Sequence, residues 1–110
     1  MYLSIYCEGP ELADCYEAMS AELQAWLQAG PGICQPVQAE DRLGICWEIK
    51  KSKQLKVPLN FLYDLAKQHK QEFVICQGDD SSSELEEVCY FGHEEGKPDI
   101  FEVACYLGLE

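Results

Sequence analysis

Residues 33–50 read ICQPVQAEDRLGICWEIK. In the second half of this stretch, residues 43–50, Leu43, Ile45, Trp47 and Ile49 alternate with Gly44, Cys46 and Glu48. That period of two is the signature of a strand with one face turned to a core. The first half, residues 33–39, contains Pro36, which has no N–H to give a ladder and so reads as an edge or bulged strand. The polar run Ala39-Glu40-Asp41-Arg42 joins the two arms into a hairpin. A hairpin set between two helical patterns decides the fold, and both patterns are present. On the N-terminal side Leu12, Cys15, Tyr16, Met19, Leu23, Trp26 and Leu27 recur at spacings of three and four, predicting one amphipathic helix from Pro10 to Gly30-Pro31-Gly32. Glu11, Asp14 and Glu17 suit the positive end of its dipole. On the C-terminal side a basic connection, Lys50 to Lys56, leads to Pro58, which is expected to open a second helix with Leu59, Leu62, Leu65, Ala66 and His69 on its inner stripe.

Further outward, residues 2–7 alternate Leu3, Ile5 and Cys7 against Tyr2, Ser4 and Tyr6, a strand period. Residues 72–77 and 86–91 read as two more strands across a loop beginning at Gly78, and Gly92 to Gly96 reads as a turn. Pro98 is expected to open a third helix with Ile100, Val103, Ala104 and Leu107 inward, closed by Gly108. The order is β-α-β-β-α-β-β-α. It predicts a single α+β domain over residues 1–110, a two-layer sandwich with a largely antiparallel sheet and helices on one face. The first six elements follow the ferredoxin-like split β-α-β pattern, with a strand and a helix added.

The charge is uneven. The chain of 110 residues carries 20 acidic and 8 basic side chains, a net charge of -12. Residues 50–70 hold six lysines and one acid, or +5, so the remainder carries -17. Such a molecule repels nucleic acid and anionic membranes and attracts basic surfaces. The lysine run lacks interleaved aromatics and argues weakly for nucleic acid. The N-terminal MYLSIYCEGPELAD has neither a basic segment nor a long apolar one, and is not read as a signal peptide. The seven cysteines (Cys7, Cys15, Cys34, Cys46, Cys76, Cys89 and Cys105) are never closer than eight positions. An odd, dispersed set in mostly apolar surroundings is read as reduced, buried thiols in the cytoplasm, with neither a disulfide framework nor a zinc site expected.

Catalytic patterns are missing. There is no Gly-rich phosphate loop, no G-x-S-x-G, and His93-Glu94-Glu95-Gly96-Lys97 lacks the second histidine of a metalloprotease helix. That segment is read as a charged turn, His69 as a partner for a helix end, and Cys89 with His93 as too loosely placed for a nucleophile and base. Asp79-Asp80 with Ser81 to Ser83 and Glu84 lacks the order of a calcium loop. No cofactor, metal or enzymatic activity is expected.

The expected site is acidic and lies in the C-terminal half. Nine carboxylates fall within 24 positions, residues 79–102. Asp79, Asp80, Glu84, Glu86, Glu87, Glu94 and Glu95, with Tyr90 as aromatic anchor, are the candidate partner-binding residues. The partner expected is a basic protein, such as a nuclease toxin or another nucleic-acid enzyme, blocked by carboxylates standing in for phosphates. In size, charge and element order the chain resembles small cytoplasmic immunity proteins and phage-encoded inhibitors. Two other readings accompany this one: a ferredoxin-like enzyme or ligand-binding domain using His93, Glu94 and Glu95, and an acidic secretion-type chaperone.

Overall fold

The computed structural model describes residues 2–30, 34–39, 42–78 and 86–108. Strand β1 (Tyr2–Glu8) is followed by a 3-10 turn (Pro10–Asp14) and helix α1 (Tyr16–Ala29). Strands β2 (Gln35–Ala39) and β3 (Arg42–Glu48) form the hairpin. A short 3-10 turn (Ser52–Gln54) then leads into α2 (Lys56–His69), β4 (Glu72–Gly78), β5 (Glu86–Gly92) and α3 (Ile100–Leu107). The strands form one sheet in the order β2-β3-β1-β4-β5, antiparallel at every junction. It is an α+β architecture with a five-stranded sheet, not the four strands of the ferredoxin-like pattern, because β5 continues the sheet beyond β4. Pro36 lies on β2, at the sheet's edge, where its missing N–H costs least.

Alternation along the strands builds the core. Leu3, Ile5 and Cys7 of β1, Leu43, Ile45 and Trp47 of β3, Phe73 and Ile75 of β4 and Phe91 of β5 belong to one buried cluster. Met19 and Leu23 of α1, Leu59, Leu62, Leu65 and Ala66 of α2, and Val103, Ala104 and Leu107 of α3 complete it. All three helices therefore pack on the same sheet face. Phe73 and Phe91 stack across β4 and β5 with centroids 5.6 Å apart. Helices α1 and α2 are tied by a Trp26–Phe61 stack at 4.6 Å and by His69 Nε2 to Glu22 Oε2 at 2.7 Å. His69 thus finds its partner on the neighbouring helix. Fully burying side chains of this size contributes roughly 1.5–3 kcal/mol each, so the cluster is the main source of stability.

Three helix starts differ from the sequence reading. The single helix expected from Pro10 is split: Leu12 N–H bonds to Gly9 O and Cys15 N–H to Leu12 O, the i to i+3 spacing of a 3-10 turn. Cys15 breaks the run with φ -123 and ψ 6, and only Glu17 of the three expected acids lies in the first turn of α1. Helix α2 begins at Lys56, so Pro58 occupies its third position, where the backbone has no intrahelical acceptor to lose. Pro98 does not open α3. Asp99 caps it, its Oδ1 accepting from the N–H of Phe101 at 2.9 Å and of Glu102 at 3.2 Å, the role of a short polar side chain at a helix start.

Candidate functional site

The other sheet face carries no helix among the described residues. Its second, smaller cluster consists of Tyr6, Val74 and Cys76, with Val37 packed against it. Strand registers line these side chains up. Val37 stands opposite Gly44, Gly44 opposite Tyr6, Tyr6 opposite Val74 and Val74 opposite Tyr90. One apolar and aromatic row therefore crosses all five strands. On one side of it lie Arg42 and Glu8, paired in register, with Glu72 further along the same edge. On the other lie Cys46, Ser4, Cys76 and Glu87.

Gly44 is required at the middle of this row. A Cβ there would lie 1.9 Å from the Ile5 carbonyl oxygen and 2.5 Å from the Tyr6 Cα. A β-bulge shapes the end of the row. Ile75 pairs with Cys89 but Cys76 pairs with Glu87, leaving Val88 as the extra residue. Strict alternation would send Glu87 to the core side with Cys89 and Phe91. The bulge instead lets Val88 and Cys89 pack on the main core and puts Glu87 and Tyr90 together outside. The Tyr90 hydroxyl donates to Glu87 Oε2 at 2.7 Å, and that bond, helped by partial desolvation, holds the phenol above its ordinary pKa.

Arg42, the one arginine in the chain, pairs through Nε with Glu8 Oε2 at 3.1 Å. Its guanidinium lies 5.0 Å from the centre of the Tyr6 ring, a cation–π contact. Burial, reinforced by the neighbouring Cys76 thiol, pushes Tyr6 up to about 12. Glu8, Glu72 and Glu87 outnumber Arg42, so the face is acidic around an apolar row.

The expected site residues are divided by this geometry. Asp79, Asp80 and Glu84 lie outside the described residues. Glu86 and Glu87 open β5, while Glu94 and Glu95 lie in the turn past its far end, about 17 Å along the strand from Glu87. Gly92 and Gly96 exchange backbone hydrogen bonds, N–H of 92 to O of 96 at 3.1 Å and the reverse at 2.8 Å. The Glu72 carboxylate accepts from the N–H of Glu94 and, at 3.2 Å, of Glu95. The backbone of the histidine–glutamate segment is thereby fastened to β4. Residues 86 and 87 lie at one end of β5 and 94 and 95 past the other, with Tyr90 between them and bonded through its hydroxyl to Glu87.

Sequence reasoning missed Tyr6, Glu8, Val37, Arg42, Glu72, Val74 and Cys76 as parts of a surface. One signal was available: Phe73-Val74-Ile75-Cys76 is a continuous apolar run, the mark of a strand with both faces covered or half-covered. The seven cysteines are free thiols, with Cys7 and Cys76 buried and four others partly so. Cys105 is exposed, which corrects its reading as a buried hydrophobe: it falls on the outer side of α3, beside exposed Phe101 and Tyr106. Burial pushes Cys7 up to about 12 and Cys34 up to about 11, the direction opposite to an activated nucleophile. Among the described residues no group of three potential ligands is placed to hold a metal ion, and no helix is long and apolar enough to cross a membrane. The chain matches no family model, no curated protein and no solved structure.

Proposed function

We propose that this chain is a small acidic protein-binding module that docks its helix-free sheet face on a basic surface of another protein. The observation that carries the reading is the row Val37–Gly44–Tyr6–Val74–Tyr90, ending on the half-exposed Tyr90 and bordered by Glu8, Glu72 and Glu87. An aromatic anchor beside desolvated apolar side chains, rimmed by charge, has the make-up of a protein interface. The excess of carboxylates steers a cationic partner onto it. The fitting partner is a nuclease toxin or other nucleic-acid enzyme in the cytoplasm, with the carboxylates occupying phosphate positions, so the module acts as an inhibitor or immunity protein. The run β1-α1-β2-β3-α2-β4 serves, in this reading, as a ferredoxin-like scaffold extended by β5 and α3.

The test is capture from the native cell's lysate at low salt with the folded chain and with Glu87→Gln and Tyr90→Ala as baits. One stoichiometric basic protein, released by salt and lost with both variants, is the expected result. Its enzymatic activity should fall when the wild-type chain is added. Capture that is indifferent to both substitutions would refute this face as the docking surface.

A further inference from the structure

We infer that the outer edge of β5 receives an extended, lysine- or arginine-rich segment of the partner as a sixth strand. The inference rests on the acidic-face reading above and adds how the partner is held.

The sheet has two edges, β2 and β5. Strand β2 has five residues and contains Pro36, which removes a donor from that edge. Strand β5 has seven residues, Glu86–Gly92, and no proline. Among the described residues its ladder partner is β4 alone; beyond that, the N–H of Gly92 is taken by Gly96 and that of His93 by Gln71. From Glu86 to Phe91 the backbone groups turned away from β4 therefore offer an open template, and such edges accept an added strand through main-chain hydrogen bonds.

Charge selects the occupant. Two copies of the chain would each bring -12 to the contact, and Glu86 and Glu87 lie at the start of the strand itself. Charged residues and a bulge on an edge strand discourage pairing with like molecules. The same carboxylates favour a cationic strand, because opposite charges directly across a ladder attract and like charges repel. The bulge at Val88 sets Glu87 and Tyr90 side by side on the helix-free face. A lysine or arginine of the added strand on that face would meet the Glu87 carboxylate, and the next outward cation the face of the exposed Tyr90 ring. The added strand would also widen the apolar row that ends at Tyr90.

The experiment compares two acetylated, amidated heptapeptides against the 15N-labelled full chain: KTKVKTK, and the same peptide N-methylated on the backbone at its central valine and at the lysine that follows. Both have equal charge, but two adjacent methylated nitrogens remove a ladder donor whichever set of alternate residues faces β5. Affinity is measured by titration at about 50 mM and about 300 mM salt, which changes screening strongly. Amide exchange is followed at residues 86–91. The expected result is binding of KTKVKTK at least about tenfold tighter than of the methylated peptide, weakening with salt. Exchange over residues 86–91 should slow at least about fivefold. Equal affinity for the two peptides, or protection elsewhere than β5, overturns strand addition and leaves charge-driven docking standing. Failure of both peptides to bind at low salt overturns the strand addition and the acidic-face reading together.

Discussion

Replacing Gly44 by alanine should destabilise the protein far more than one methyl group would suggest. The added Cβ would lie 1.9 Å from Ile5 O, 2.5 Å from Tyr6 Cα and 2.8 Å from Ile5 C. A carbon seldom approaches a carbonyl oxygen closer than about 3.3 Å, so β1 and β3 would have to separate by about 1.4 Å at this point. All three crowded atoms are backbone, and no side-chain rotation relieves them. A shift of that size takes the flanking ladder bonds beyond hydrogen-bonding distance. Loss of two such bonds, at about 1–1.5 kcal/mol each, plus strain in the surrounding core gives about 3 kcal/mol. Against the roughly 5–15 kcal/mol of a domain this size, that is a large share, equivalent to a fall in Tm of about 15 °C. Urea unfolding followed by tryptophan fluorescence and far-UV circular dichroism measures it. Gly108→Ala is the control: Gly108 has φ 73 with no atom within 4 Å of its Cβ position, so only backbone strain of about 1 kcal/mol applies. A Gly44→Ala protein within about 1 kcal/mol of wild type, or more stable than Gly108→Ala, would refute the close approach of the two central strands.

Other consequences can be measured in the same way. Cys7 keeps its proton up to about 12 when folded but ionises near 9 when unfolded. Its contribution is therefore intact below pH 9 and lost as pH rises toward 12. The loss should reach roughly 2 kcal/mol by about pH 10.5, and Cys7→Ala should show a flatter alkaline slope in urea titrations. Lys70 caps α2 with φ 57, a left-handed conformation that disfavours side chains, so Lys70→Gly should raise stability by about 1 kcal/mol in the same assay. Glu72→Ala removes the acceptor of two backbone N–H groups; it should cost about 2 kcal/mol and speed amide exchange at Glu94 and Glu95. Unchanged exchange there would mean that the turn does not depend on Glu72.

Much of the architecture was legible because it is written in short-range pattern. Leu3, Ile5 and Cys7, like Leu43, Ile45 and Trp47, announce their strands by period two, and Leu59, Leu62, Leu65 and Ala66 announce a helical stripe. Helix starts were less legible, since prolines tempt the reader. Pro10 and Pro58 fall in first turns of different kinds, while Asp99, not Pro98, organises the start of α3. The acidic cluster was visible as a count of carboxylates along the chain. Its spatial division was not, because a seven-residue strand begins at Glu86 and ends before the turn holding Glu94 and Glu95.

Which residues alternate, which stripes are apolar, where Pro36 could sit and how negative the chain is can all be read along the sequence. These are properties of near neighbours and of composition, and hydrophobic burial reads them locally. The assembled fold set β1 between β3 and β4 and brought Val37, Gly44, Tyr6, Val74 and Tyr90 into one row. It also decided that a bulge at Val88 turns Glu87 out of the core. Strand order and register depend on pairing residues tens of positions apart, where each choice is set by the joint packing of the whole core and not by any single segment's preference.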